Sequence, residues 1–335
     1  MASAAASMPF IKNLASSDRK IRTAALDSLK NFLTAKYAAS SAASSALTFL
    51  DAQKLWAGLF YALWMADRAP AQQRLCDELA GLPAAVKLSD AAVDAWLRAF
   101  WATMAREWTT GIDVLRMEKF MLLVRRVLNA QLAWMAAAGA KQEKQEKKDK
   151  KGDKTKKTQP TTSGAGSARD LGLAILAQWP FNPEAEAEVP SAEDEDTSGD
   201  NETDETHRPR KRSRRVVPTV HIPVGLTMHT VDIWVDEAEK LELLKTTEGD
   251  AEAEAEGEPR LAKAINMLVE TLAAKTTAPA VRQRTREALE DERLPWVQST
   301  AAPETAAFGG GGIEAQADSD DDVDAADGDW DGFND

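Results

Sequence analysis

Few side chains in this sequence have the types and spacings that metal binding or nucleophilic catalysis requires. The three histidines are His207, His221 and His229, and no two of them form an HxxxH or HExxH pattern. Cys76 is the only cysteine, so the chain can form no internal disulfide and no cysteine-rich zinc site. We therefore predict no metal centre, a capping or packing role for His229, and burial of Cys76 as a small apolar side chain.

The sequence also has no phosphate-binding loop and no carboxylate pair suited to acid–base catalysis. It contains neither GxxxxGKS/T nor GxGxxG, and the run Gly309–Gly312 follows no predicted strand, so we interpret it as a flexible linker. Neighbouring carboxylates are abundant only in acidic stretches, where solvent would prevent the pKa shifts that general acid–base catalysis needs. The sequence thus predicts a protein with no enzymatic activity and no cofactor.

A basic octapeptide is the clearest short motif. RPRKRSRR, at 208–215, holds six cationic residues in an extended, proline-containing segment. Such a segment suits a nuclear import receptor or a phosphate backbone. It could alternatively balance the acidic run that precedes it, but we favour nuclear localisation. The candidate residues are Arg208, Arg210, Lys211, Arg212, Arg214 and Arg215.

The charge of the chain is unevenly distributed. Its formal net charge is −13, yet Met1–Ala140 contain sixteen Lys and Arg against eleven Asp and Glu. The acidic excess lies mainly in Glu184–Glu205 and Glu314–Asp335, which have eleven and ten acidic residues and no Lys or Arg. A basic body with acidic extensions is typical of proteins that work among polyanions, although it also suits plain solubility.

Several basic residues of the first third of the chain are candidates for RNA or partner binding. They fall on predicted helix faces or helix ends. The alternative for each is a solvated face that forms ion pairs within its own helix. The candidates are Lys12, Arg19, Lys20, Arg22, Arg68 and Arg74.

The element that must position these residues is the apolar stretch LWAGLFYALWMAD, Leu55–Asp67. It contains no proline, and Asp51 is a plausible N-cap, so we predict a helix of about seventeen residues. Because it is apolar nearly all round, it should be buried on more than one side. It is too short to span a bilayer. Four tryptophans lie on the apolar stripes of this helix and of the helix from Ser89 to Gly111, and we predict that they are core residues: Trp56, Trp64, Trp96 and Trp101. Core positions argue against base stacking by these side chains.

Apolar residues recur at helical spacing in the other segments too, and none alternates with period two long enough to form a convincing strand. We expect an all-α fold of stacked antiparallel helical hairpins, similar to HEAT or armadillo solenoids. An irregular helical bundle is the alternative. The predicted helices are Met8–Leu14, Asp18–Lys36 capped by Ser17, Asp51–Asp67, Pro70–Leu82, a helix from Ser89 to Gly111, Asp113–Met135, Asp170–Trp179, Val224–Leu244, Arg260–Lys275 and Pro279–Arg293, with Pro218–Pro223 extended.

We expect a single helical domain at 8–293. It should be interrupted by disordered inserts at 141–168, 184–215 and 246–258 and followed by a disordered acidic tail at 299–335, because these stretches are poor in large apolar side chains. The start of the chain lacks the pattern of a secretory signal, and no segment reaches transmembrane length. The expected location is therefore intracellular, with no membrane partner.

Three blocks of the sequence resemble the ribosomal RNA processing protein 1 family of eukaryotic nucleolar proteins. They are FIKNLASSDRKIRTAALDSLKNFL at Phe10–Leu33, KLWAGLFYALWMADRAPAQQRLCDELA at Lys54–Ala80 and IPVGLTMHTVDIWVDEAEKL at Ile222–Leu241. The resemblance implies a non-catalytic, mainly helical assembly factor. It further implies binding to precursor large ribosomal subunits, with pre-rRNA, ribosomal proteins and other assembly factors as partners, and a role in pre-rRNA processing in the nucleolus.

Two other functional classes remain open at this stage. One is a nuclear helical adaptor or acidic chaperone that holds basic proteins through its acidic segments, where Trp330 and Phe333 could contribute. The other is an RNA-modifying or RNA-cleaving enzyme, which would require activity from the isolated chain. The leading hypothesis is the scaffold, which is imported into the nucleus and makes or breaks no covalent bond.

Overall fold

The structure is a computed structural model that describes residues 10–40, 46–149, 167–190, 218–245 and 259–298, with only the backbone described at 138–149 and 298. Helices dominate these residues, and a single two-stranded ladder accompanies them. The elements in chain order are α1 (Phe10–Leu14), α2 (Arg19–Tyr37), α3 (Phe49–Trp64), α4 (Ala69–Ala85), α5 (Asp90–Thr110), α6 (Met117–Asp149), α7 (Ala168–Gln178), β1 (Glu186–Glu188), β2 (Thr219–His221), α8 (Val224–Lys240), α9 (Leu261–Lys275), α10 (Pro279–Leu289) and α11 (Pro295–Gln298).

The packing order of the helices is that of stacked hairpins. Helix α3 packs against α5, α4 against α6, and α6 against α8, so helices two apart in sequence lie side by side. This is the arrangement that results when successive hairpins add to a growing stack. It confirms the predicted all-α fold of stacked helical hairpins.

Helix α3 is central to the apolar core, as predicted. Leu55, Trp56, Leu59 and Leu63 are fully buried along it. The Trp56 ring lies 4.9 Å from that of Trp96 on α5, and its Nε1 donates a 3.0 Å hydrogen bond to the Trp96 carbonyl. Burial of each large apolar side chain stabilises the fold by roughly 1.5–3 kcal/mol, so this contact line fixes α3 against α5.

Two of the predicted helix caps are wrong by a few residues. Helix α2 is capped by Asp18 rather than Ser17, because the Asp18 carboxylate accepts a 2.7 Å hydrogen bond from the Lys20 backbone nitrogen. Helix α3 begins at Phe49 because Thr48 is its cap. Asp51 lies inside the first turn, where negative charge is favourable. The predicted cap Ser89 and terminator Gly111 of α5 are confirmed.

Helix α6 differs from its predicted bounds at both ends. Asp113 does not open it, because the Asp113 carbonyl and carboxylate both accept hydrogen bonds of 3.0 Å from the Arg116 backbone nitrogen and hold 113–116 in a turn. The helix starts at Met117 and continues past Met135 to Asp149. The residues after Met135 are mainly Ala, Gln, Glu and Lys, which favour helix in any context.

Helix α7 and the ladder extend the stack. At Gly172 the chain comes so close to α6 that an added Cβ would lie 2.4 Å from Met135 Cγ, so a larger residue would force the Met135 side chain to move. Strand β1 pairs antiparallel with β2, with Glu186 opposite His221. The extended conformation predicted at Pro218–Pro223 is therefore confirmed, and the two strands are only three residues long each.

The structure describes parts of two of the predicted inserts. Residues 141–149 are helical and 184–190 contain β1, and the bounds of the domain and its inserts stay a prediction. The rest of these inserts, the insert at 246–258 and the tail at 299–335 lie almost wholly outside the described residues. Helices α8 and α10 end at Lys240 and Leu289, a few residues before the predicted ends. Within the described residues, no helix has both the length and the apolar content needed to cross a bilayer.

Candidate nucleic-acid interface

A groove of about 530 Å³ lies between α2, the C-terminal end of α3 and the N-terminal half of α4. We call it the basic groove. Four of the six basic residues that the sequence nominated line it together: Arg19 and Arg22 from α2, Arg68 from the α3–α4 turn and Arg74 from α4. They come together because residues spaced by three along α2 share one helix face, and this face lies beside the start of α4.

Three of the four guanidinium groups in the basic groove are available to an external anion. Arg19, Arg68 and Arg74 are exposed, and none of them forms an ion pair with any described residue. Arg22 is half-buried, and its Nη1 donates 2.8 Å hydrogen bonds to the carbonyls of Ser16 and Ser17. Arg22 therefore fixes the loop before α2, and its charge remains next to the other three.

Two carboxylates also line the basic groove. Glu78 accepts a 2.5 Å hydrogen bond from Lys30 Nζ. This bond outweighs the opposing effect of partial burial and raises the pKa of Lys30, so the Glu78 charge is balanced locally. Asp67 forms no ion pair within the described part of the chain. The positive charge of the lining thus exceeds its negative charge.

The remaining two nominated cations lie elsewhere. Lys12, at the end of α1, and Lys20, in the first turn of α2, are both exposed, but neither lines the basic groove. Sequence reasoning also missed the hydroxyl groups of Ser17 and Thr23, which line it. Thr23 lies four residues after Arg19, and this helical spacing could have revealed it.

The histidine and cysteine predictions agree with the structure where they can be compared with it. Burial lowers the pKa of His229, and the ring stacks on Trp108 with its Nε2 3.0 Å from the Met121 carbonyl oxygen. His229 therefore packs, as predicted. Cys76 is fully buried, and burial raises its pKa to about 12. Among the described residues, no group of His, Cys, Asp and Glu is arranged to hold a metal ion.

Of the four tryptophans predicted in the core, one is placed differently. Trp56, Trp96 and Trp101 are fully buried. Trp64 is half-buried, at the last residue of α3. The Arg116 guanidinium lies over its ring, 4.6 Å from the ring centroid. The basic motif at 208–215 and the acidic stretches after 190 and 298 lie outside the described residues.

The chain is similar to known proteins over part of its length. The sequence model of a family described as nucleolar protein Nop52 matches residues 5–162. Two curated human proteins match: ribosomal RNA processing protein 1 homolog A, at 36% identity over 128 residues (38% of this chain, 27% of that protein), and homolog B, at 38% over 124 residues (37% and 16%). The Drosophila melanogaster homolog is 35% identical over 85 residues (25% and 12%).

These matches have clear limits. The aligned part spans about a quarter or less of the length of each of these relatives. The family match contains the whole basic groove, while the block Ile222–Leu241, which also resembled the family, lies outside it. The family match therefore concerns the N-terminal hairpins and the groove that they form.

Proposed function

We propose that this chain, whose residues 5–162 match the Nop52 family model and whose curated relatives carry the name ribosomal RNA processing protein 1, is a non-catalytic assembly factor of nucleolar large-subunit precursors. In this role it holds pre-rRNA and neighbouring assembly proteins in position. The observation that supports this proposal best is the basic groove, whose three unpaired arginines lie within the segment that matches the family.

The chemistry of the basic groove suits a phosphate backbone. A guanidinium presents several donors in a fixed plane and can bind two phosphate oxygens at once. Three such groups along one groove, next to the hydroxyl group of Ser17, would follow a strand of RNA without reading its bases. Such contacts position an RNA and release counterions, so the affinity should fall steeply with salt.

Any effect on pre-rRNA processing is then indirect. The protein would hold precursor RNA in a conformation that separate nucleases recognise, and no bond would be made or broken by this chain. Purified protein should accordingly leave a labelled pre-rRNA fragment intact in the presence and absence of Mg²⁺. Cleavage or modification that survives further purification would contradict this part of the proposal.

A nuclear localisation signal at 208–215 is part of the same proposal. The cationic residues of RPRKRSRR suit a nuclear import receptor. Replacing Arg210, Lys211 and Arg212 by alanine in a fluorescent fusion should leave the protein in the cytoplasm. Unchanged nucleolar fluorescence would show that the nuclear localisation signal lies in another segment.

The decisive experiment is depletion of the protein in cells followed by rescue. Depletion should make large-subunit precursors accumulate while small-subunit maturation continues, and wild-type protein should restore processing. Rescue should fail with the variant Arg19→Glu/Arg68→Glu/Arg74→Glu even though this variant folds. A defect confined to the small subunit would overturn the proposal.

The second candidate function, an acidic adaptor or chaperone, is favoured by the two acidic stretches of the sequence. Deleting Glu314–Asp335 separates the candidates. If the truncated protein still sediments with large-subunit precursors, the scaffold is supported. If it loses every basic protein partner and leaves the precursors, the chaperone is supported.

A further inference from the structure

Two adjacent aliphatic side chains protrude from the turn between α5 and α6. Val114 is 85% exposed and Leu115 is 90% exposed, although their neighbour Ile112 is buried. Single exposed apolar residues are common on protein surfaces, but two nearly full exposures side by side are a feature of interaction sites. Neither residue contributes to the core of this fold.

The turn that carries them is held rigidly on both sides. The Asp113 carboxylate accepts from the Arg116 backbone and forms an ion pair with its guanidinium. That guanidinium also lies over the Trp64 ring. Because the flanking residues are fixed, Val114 and Leu115 would lose little conformational freedom on binding, and such preorganisation increases affinity.

Further apolar and charged groups surround the turn. Leu115 lines a recess of about 240 Å³ with Ala66, Asp67 and Glu118.

Some charged side chains of the recess already have hydrogen-bond or ion-pair partners, and others have no ion-pair partner. Lys119 donates to the carbonyl oxygens of Trp64 and Ala66, and Arg116 is paired with Asp113. By contrast, Asp67 and Glu118 are exposed and form no ion pair within the described part of the chain. The exposed charges beside Leu115 that lack an ion-pair partner are therefore these two carboxylates, whereas the ammonium of Lys119 is buried.

We propose that Val114 and Leu115, with the recess beside them, form a docking site for a protein segment that carries an apolar side chain next to Lys or Arg. The apolar side chain of the partner would pack on Leu115, and its cation would bind Asp67 or Glu118. The proposal rests on the proposed function only in that the partner is sought among proteins of the precursor particle.

The surface chemistry favours protein over RNA as the occupant. Exposed aliphatic side chains offer no donor to a phosphate and no aromatic face to a base, and the free carboxylates would repel a phosphate backbone. The basic groove has the opposite character and adjoins the recess at the turn between α3 and α4, where Ala66 and Asp67 line both features. The two surfaces could thus bind RNA and protein at the same time.

The test is site-specific crosslinking with the full chain. A benzophenone amino acid is placed at position 115, and in a matched control at position 21, where Ile21 is 44% exposed on α2. After irradiation of nuclear extract separated on a sucrose gradient, crosslinked peptides are identified by mass spectrometry. We expect position 115, and not position 21, to crosslink to a peptide with an apolar residue next to Lys or Arg.

The captured sequence is then synthesised and titrated against purified chains by fluorescence anisotropy. Val114→Ser/Leu115→Ser should weaken its binding about tenfold or more, Asp67→Asn/Glu118→Gln should weaken it and reduce its salt dependence, and Ile21→Ser should change nothing. Crosslinks to RNA, to a second copy of this chain, or equally from both positions would overturn the inference. If the wild-type chain is absent from the gradient fractions that contain precursor particles, the proposed function is contradicted. A peptide captured from the fractions without precursor particles would still support this docking site.

Discussion

The indole nitrogen of Trp101 donates a 3.0 Å hydrogen bond to the side-chain oxygen of Gln131, and both residues are fully buried. The amide nitrogen of Gln131 donates in turn to the carbonyl of Gly172 at 3.1 Å. One glutamine therefore connects α5, α6 and α7 through polar bonds inside an apolar core. Buried polar groups are tolerated only when they are paired, and here each end of the amide has its partner.

Replacing Gln131 by alanine should destabilise the protein by roughly 2–4 kcal/mol. The variant leaves the Trp101 Nε1 and the Gly172 carbonyl without partners, and each unpaired buried group costs about 1–3 kcal/mol. Urea denaturation followed by tryptophan fluorescence measures the change. Gln73→Ala, at an exposed position of α4, is the control and should stay within about 0.5 kcal/mol of wild type. Equal stabilities of the two variants would show that the Gln131 bonds contribute nothing.

Two tryptophans of α3 should differ in their effect on stability. Trp56→Ala removes a fully buried ring that packs on Trp96 and Phe100, and should cost about 3–5 kcal/mol. Trp64→Ala removes a half-buried ring and its contact with Arg116, and should cost roughly 1–2 kcal/mol. The midpoints of urea denaturation compare them directly. A larger loss from Trp64 would mean that its ring is a main support of the core.

The difference between these tryptophans illustrates what the sequence could and could not predict. The apolar stripe of Leu55–Asp67 predicted a buried helix correctly, because periodicity depends only on local spacing. It could not show that α3 ends at Trp64, where Lys119 of the distant helix α6 donates hydrogen bonds to the Trp64 and Ala66 carbonyls. Likewise, spacing placed Arg19 and Arg22 on one face, but only the packing of α4 brings Arg68 and Arg74 to them.

Charge reversal in the basic groove should weaken RNA binding without unfolding the protein. Arg19→Glu/Arg68→Glu/Arg74→Glu changes three exposed residues that form no ion pair with described residues, so the urea midpoint should stay nearly unchanged. The affinity for a labelled single-stranded RNA should fall more than tenfold. The slope of log affinity against log salt should become shallower by roughly 0.7 for each phosphate that the variant no longer binds. Fluorescence anisotropy across a salt series measures both.

The matched control carries the same change in net charge at sites away from the basic groove: Lys87→Glu, Lys275→Glu and Arg286→Glu, all exposed. If it weakens binding as much as the groove variant, the RNA responds to overall charge and not to the groove. The pair Lys12→Glu/Lys20→Glu tests the two nominated cations outside the groove, for which we expect a change of less than threefold.

The buried thiol should react slowly. Because burial raises the pKa of Cys76 to about 12, almost no thiolate forms at pH 8, and the side chain is also inaccessible. We expect iodoacetamide to label the native protein at least a hundredfold more slowly than protein in 6 M urea, as measured by intact mass. Rapid labelling of native protein would show that the contact between α4 and α6, where the thiol faces the Lys119 carbonyl, opens readily.

The contact between α6 and α8 should make stability sensitive to acid. Burial alone would raise the pKa of Asp236, but hydrogen bonds from Arg125 and Arg293 outweigh it and hold the pKa below its ordinary value of 3.8. A carboxyl group whose pKa is lower in the folded state stabilises the fold above the unfolded pKa. This contribution is therefore complete well above pH 3.8 and is lost as the pH falls through the lower, folded pKa.

Asp236→Asn should consequently be less stable than wild type at pH 7, and the difference should shrink progressively below pH 3.8. The neighbouring Glu237, which is almost fully buried, keeps its 2.5 Å contact with Arg125 in this variant, so the helices should stay docked at neutral pH. Asp27→Asn, at an exposed position of α2, is the control and should cost less than about 0.5 kcal/mol at either pH. A difference between wild type and Asp236→Asn that is the same at pH 7 and pH 3 would show that the two arginines do not stabilise the charged carboxylate.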